Sequence, residues 1–207
     1  MNKELEENVL AYSIDKRMIW MDIRNSITNR TAFSFGQILK ALNRKSNRDI
    51  KFFITGVGGD FFAALKMIGL IKSSQSKVTI VAHKFVRSAC FTMTQAENTK
   101  EVLATKDTEF MFHRAIGSTK TNGKKFLRFN RTDHFAMMEW LGLMDGLQAA
   151  LFINRGTPIS KIMGLFYEDA TISFQECKQL KLIDGCFDEE ELEDIKKDLH
   201  NWRHVKG

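Results

Sequence analysis

The segment from Asp49 to Ala82 constrains the fold more than any other part of the chain. Asp49 to Ile54, DIKFFI, reads as a buried strand that runs into the glycine-rich turn Thr55-Gly56-Val57-Gly58-Gly59. Asp60 can cap the helix that follows, FFAALKMIGLIKSS, and VTIVA at 78–82 is a second buried strand. A helix is expected from about Ser88, and EFMF at 109–112 forms a short strand ending at His113. Strand, helix, strand, helix, strand in this order argues for an α/β layer with a mostly parallel sheet.

The flanking segments fill out this plan. Residues 1–15 are expected to form a polar arm or short helix, and RMIWMDI at 17–23 a strand. FGQILKALNRK has helical spacing. After His113 comes a polar loop, GSTKTNGKK at 117–125, with an edge strand expected at Phe126 to Phe129. A long helix is expected over Asp133 to Asn154, and short helices after Thr157-Pro158 and over Ser173 to Leu180. Leu182-Ile183 leads into an expected last strand. Asp188 to His200 reads as a charged helix whose early acids and later lysines complement its dipole.

Composition excludes several classes. Hydrophobic residues make up 43% and charged residues 27%, which is globular usage without a disorder signature. The net charge of +6 is scattered, so it reads as a solvated surface rather than a nucleic-acid footprint. Three cysteines without a CxxC pair argue against a disulfide framework or zinc site and fit a reducing cytoplasm. The start, MNKELEENVL, has no apolar run of signal-peptide length, and no transmembrane span is expected.

Three features could carry chemistry. Ser88 follows a buried strand at the head of a helix, where backbone N–H groups are unpaired; the same position suits an inert N-cap serine. His113 ends a strand and can face a cleft, or it is a structural histidine. Gly58-Gly59 lets the backbone approach another chain closely, without the spacing of a nucleotide-binding loop. His83, His134, His200 and His204 lack such settings; the last two sit four apart, too few for a metal site.

Taken in this order, residues 49–184 resemble the proteolytic subunit of the Clp protease, within the broader Clp–crotonase fold. That family has a Ser-Pro-Gly-Gly turn where this chain has Gly56-Val57-Gly58-Gly59. Its nucleophile sits in Ala-Ser-Met-Gly-Ala, matched by Arg87-Ser88-Ala89-Cys90-Phe91. Its Met-Ile-His-Gln-Pro is matched by Met111-Phe112-His113-Arg114-Ala115. Its aspartate, Ser-Ala-x-Glu-Ala helix start and Gly-Leu-Ile-Asp ending align without insertion with DATISFQECKQLKLID, Asp169 to Asp184. On residue type alone, Asp169 would be a turn or capping aspartate.

The resemblance implies an α/β spiral of β-β-α units, with a helical handle at about 117–156 and an N-terminal arm at 1–15, as one peptidase domain over 1–207. It implies a serine endopeptidase with Ser88, His113 and Asp169 as triad and the backbone N–H groups of Gly58 and Ala89 as oxyanion hole. No metal or organic cofactor is implied. The implied assembly is a homo-oligomer of heptameric rings stacked as a tetradecamer, cytoplasmic, working on peptides or unfolded protein fed by an AAA+ unfoldase. Neither nucleic acid nor membrane is an expected partner.

Departures from the family pattern surround the site. Arg87 replaces a small alanine, Cys90 a glycine, and Asp60 a serine, the last expected to turn away as a helix cap. Phe61, Phe62, Phe85 and Phe91 are candidate pocket residues. Two rival readings share the fold: a crotonase-type acyl-CoA enzyme and a non-catalytic ring subunit.

Overall fold

The computed structural model describes residues 8–115, 131–153 and 155–206. In chain order the elements are β1 (Val9–Ser13), β2 (Met18–Ile23), α1 (Asn29–Lys45), β3 (Ile50–Gly56), α2 (Phe61–Lys72), β4 (Val78–Arg87), α3 (Ala89–Thr94), β5 (Thr99–Ala104) and β6 (Glu109–Met111). Then follow α4 (Arg131–Ile153), α5 (Ile159–Tyr167), β7 (Thr171–Ser173), α6 (Phe174–Gln179), β8 (Gly185–Cys186), α7 (Glu189–Asp198) and β9 (Arg203–Lys206). The strands join one mixed sheet in the order β7-β6-β4-β3-β2-β1-β9, with β5 and β8 branching from β4. Its centre, β2-β3-β4, is parallel, as the strand and helix alternation requires.

Two end segments differ from expectation. Part of the N-terminal arm is a strand, β1, because it has partners on both sides: β2 on one edge and β9 on the other. That pairing buries Leu10 and Ala11. The segment after Leu182-Ile183 does form a strand, β8, but the last strand of the chain is β9. Neither β1 nor β9 carries a long apolar run, since each is stabilised by a neighbour far away in sequence. The loop at 117–125 and the edge strand expected at Phe126 to Phe129 lie outside the described residues.

Strand β4 organises the site. Its first half, Val78 to Ala82, pairs with β5, and its second half, Phe85 to Arg87, pairs with β6. Between the halves Lys84 adopts φ 60, a left-handed kink in which the strand changes partners. The strand therefore runs five residues past the apolar segment VTIVA and ends directly at Ser88.

The sheet has an apolar layer on each face, and neighbouring residues of β3 serve different layers. Phe52 packs with Phe35 of α1, whereas Phe53 packs with Trp20 and Phe187. Behind the head of α3, Phe91 makes ring contacts at 4.9–5.0 Å with Phe110, Phe112 and Phe152. These rings lock α3, β6 and α4 together. Phe91 is thus core and not a pocket wall. At the opposite end of the sheet, the buried Arg17 guanidinium donates to the carbonyls of Leu42 (2.7 Å) and Arg48 (2.6 Å) and to Ser76 Oγ (2.8 Å). It closes the C-terminal end of α1 against the entry to β3.

His83 lies in the second layer, 4.5 Å from the Trp20 ring, with both ring nitrogens buried and unpartnered among the described residues. Burial, with smaller contributions from Lys196 and Lys84, lowers its pKa to about 3. The unfolded chain takes up the proton near the ordinary value of about 6.5. Stability from this group is therefore complete above that pH and declines as pH falls toward 3. Urea titrations should show a loss of about 2 kcal/mol attributable to His83 between pH 8 and pH 5. In His83→Phe that part of the pH dependence should vanish; an unchanged pH profile would contradict the assignment.

Candidate active site

Strand β6 is only three residues long, yet it sets the positions of all three candidate side chains. On one side it runs parallel to β4, with Arg87 opposite Met111, and the Ser88 N–H donates to the Met111 carbonyl at 2.9 Å. On the other side it runs antiparallel to β7, with Met111 opposite Thr171 and the Phe112 N–H donating to the Ala170 carbonyl at 2.8 Å. One residue further along each segment come His113 and Asp169, and the Arg114 N–H donates to Asp169 Oδ1 at 3.1 Å. Ser88, His113 and Asp169 are thus brought to one end of the sheet.

Ser88 occupies a strained turn. Its φ of 51 and ψ of −126 lie in a region that L residues rarely adopt. The strand enters from one side and α3 leaves on the other, so the serine side chain projects from a sharp elbow. It makes no capping bond to α3, which separates it from an ordinary N-cap serine. Asp60, Ser173 and Asp188 do cap their helices through the side chain.

The glycine turn packs directly on this elbow. A Cβ at Gly58, where φ is +97, would come within 2.9 Å of Ser88 Cβ and the Arg87 carbonyl and 3.0 Å of the Ala89 nitrogen. A Cβ at Gly59 would come within 2.2 Å of the Ile27 nitrogen. The turn is held by the Ile27 N–H donating to the Gly58 carbonyl (2.8 Å) and the Asp60 N–H donating to the Ile27 carbonyl (2.9 Å). Both glycines are needed for close approach, and Gly58 lies against the Ser88 elbow and the first amide of α3.

Ser88, Ala89, Gly59 and His113 line one cleft of about 660 Å³. Phe61, Phe62, Met111, Trp140 and Met144 supply its apolar walls, with Phe62 against Trp140 at 5.8 Å. Phe61 and Phe62 are therefore pocket residues as expected, whereas Phe85 lies under the Arg87 guanidinium at 5.0 Å. Asp169 does not line the cleft. Its Oδ1 accepts from the Arg114 N–H at 3.1 Å, one residue beyond His113. Neither Ser88 Oγ nor the His113 ring makes a hydrogen bond among the described residues. The three groups are neighbours, and the chain of bonds between them is open in this conformation.

One contributor escaped sequence reasoning. Asp145 on α4 accepts from the Ala115 N–H at 2.7 Å. Two carboxylates, those of Asp169 and Asp145, thus hold consecutive amides directly after His113. No local sequence signal marks Asp145, because its partner is 30 positions away.

Cys90 carries a thiol beside the elbow, and it is buried. Burial pushes its thiol pKa up to about 12, with the Gly58 backbone N–H offsetting part of that rise. The sulfur is a neutral packing atom at ordinary pH, not a thiolate. Cys177 is likewise buried, with its pKa raised. His200 Nδ1 and His204 Nε2 each contact a backbone carbonyl, of Lys197 (2.7 Å) and Leu199 (3.0 Å). Among the described residues no three His, Cys, Asp or Glu side chains converge as a metal site requires. No described helix is long and apolar enough to cross a membrane.

This arrangement can be set beside known proteins. The family model described as Clp protease matches residues 3–190. The chain belongs to the Clp protease family. Among solved structures, a point mutant of ClpP1 from Listeria monocytogenes is similar, with a TM-score of 0.71 at 21% identity, covering 86% of this chain and 95% of that one. Among curated proteins, none matches by sequence. Membership in the Clp protease family makes this a peptidase-type chain, and the mixed sheet with its described α-helices matches the fold of that family. Against the Clp protease family pattern, two departures at the elbow are engaged in capping and packing. Asp60 lines the cleft but its carboxylate accepts from the Ala63 N–H at 3.0 Å, and Cys90 is packed inside.

The glycine contacts yield a direct test. Gly58→Ala should lower folding stability by about 1–3 kcal/mol, through positive-φ strain and the collision with the elbow. Gly69→Ala, on α2 with nothing within 4 Å, should instead be neutral or stabilising by about 0.5–1 kcal/mol. Denaturant titration of the two variants beside the parent checks both signs.

Proposed function

We propose that the chain is a serine endopeptidase in which Ser88 is the nucleophile, His113 its base and Asp169 the group that orients the base. The observation that carries this reading is the double pairing of β6, which brings an elbow serine, a cleft histidine and an aspartate to one sheet end. Ser88 Oγ attacks the substrate carbonyl carbon while His113 takes the hydroxyl proton. The tetrahedral oxyanion is held by the backbone N–H groups of Ala89 and Gly58. His113 then gives its proton to the departing amine, and water hydrolyses the acyl-serine ester by the reverse path.

For this to work, the open bonds must close. Asp169 has to exchange the Arg114 amide for the imidazole N–H, or share itself between the two, as a carboxylate with several lone pairs can. The Gly58 N–H, near the Cys90 sulfur, has to serve the oxyanion instead. A neutral thiol is a weak acceptor, so an oxyanion outcompetes it at small cost. Catalytic hydrogen bonds commonly tighten only when substrate is bound.

The wider reading follows from family membership. We infer one peptidase domain over 1–207, a homo-oligomer of heptameric rings stacked in pairs, and peptide or unfolded-protein substrates delivered by an AAA+ unfoldase in the cytoplasm. Incubation with a fluorophosphonate followed by mass spectrometry tests the chemistry. A single adduct on Ser88 is expected, with labelling lost in Ser88→Ala and reduced at least a hundredfold in His113→Ala. Absence of any adduct under conditions that label a control serine peptidase would sink the reading and favour a non-catalytic subunit.

A further inference from the structure

The cleft carries two cations that its apolar walls do not explain. Arg87 immediately precedes Ser88 and pairs across the sheet with Met111, so the two side chains leave the same face of the sheet. Arg114 immediately follows His113. Both arginines line the cleft beside Ser88 and His113.

Each guanidinium has donors to spare. Arg87 approaches Glu109 through Nη2 at 3.7 Å, well beyond the 2.7–2.9 Å typical of a charge-assisted bond, and its side chain is 41% exposed. Arg114 stacks loosely over Tyr167, 5.9 Å from the ring centroid. Among the described residues neither side chain donates a hydrogen bond. Among the described residues, the one acid lining the cleft, Asp60, is committed to capping α2.

We propose that the cleft selects peptides in which an acidic side chain flanks an apolar one at the bond to be cleaved, with Arg87 as the principal specificity residue and Arg114 as its second. The proposal rests on the peptidase reading above. The apolar side chain packs against Phe62, Trp140 and Met144. The neighbouring carboxylate takes the free donors of Arg87, whose fork geometry suits a two-point contact. The walls around the cation exclude water on one side, so the pair is worth more than one on an open surface.

The test is binding, which does not depend on turnover. The full-length Ser88→Ala protein is titrated with three fluorescein-labelled peptides that share a Leu-Leu centre and carry Glu, Gln or Lys on both sides. The Glu peptide should bind roughly tenfold more tightly than the Gln peptide, and the Lys peptide more weakly still. The Glu advantage should shrink as salt is raised. Arg87→Gln in the same background should abolish most of the Glu advantage, Arg87→Lys should keep part of it, and Arg114→Gln should reduce it less. Equal affinities for the Glu and Gln peptides, no binding of any peptide, or a Glu advantage that survives Arg87→Gln would each overturn the proposal. Fluorophosphonate labelling of the parent reports separately on the peptidase reading, so the two can fail independently.

Discussion

Two backbone hydrogen bonds on β6 carry the rest of the site. The Met111 carbonyl accepts from Ser88, and the Phe112 amide donates to Ala170. Through them a three-residue strand brings together three segments that are remote in sequence. The strand can be so short because the side chains at its back do the anchoring. Phe110 and Phe112 are buried against Phe91, while Phe112 also meets Phe152 and Phe166. Main-chain bonds fix direction and register, and the aromatic cluster supplies the apolar burial that holds them in place.

A second constraint is steric. The Ser88 elbow is strained, and it persists only where its surroundings leave no alternative. The Gly58 backbone fills the space beside it at a distance no side chain would allow. Strain at Ser88 and close approach at Gly58 are two sides of one contact, and that contact brings the first amide of α3 near the glycine turn. The proposed oxyanion site therefore uses the same close approach that packing requires. His83, by contrast, is a buried polar group that does not line the cleft.

Much of this was legible in the sequence, and what was not has a physical reason. The central strands β2, β3 and β4 carry dense apolar runs, and helix α2 has its Asp60 cap, so each announces itself locally. The second half of β4 was hidden because Lys84 and Phe85 break the buried run VTIVA as the strand changes partners. β1 and β9 were hidden because β9 is largely exposed and the two strands pair across almost the whole length of the chain. Ser88 could be suspected from its strand-to-helix setting. Asp169 could not be chosen on residue type, because its relation to His113 exists only in the β6–β7 register, and Asp145 reaches Ala115 only through the packing of α4. Arg87 was visible as an oddity next to Ser88; its free donors in the cleft became visible only in three dimensions.

The most direct measurement of the central claim is a crystal structure of the chain with a phosphonate bonded to Ser88. The phosphonyl oxygen should lie about 3 Å from the backbone nitrogens of Ala89 and Gly58. The His113 ring should bridge from Ser88 to the Asp169 carboxylate. A phosphonyl oxygen turned to solvent, or an Asp169 carboxylate still bound to the Arg114 amide alone with His113 swung out of the cleft, would contradict the claim.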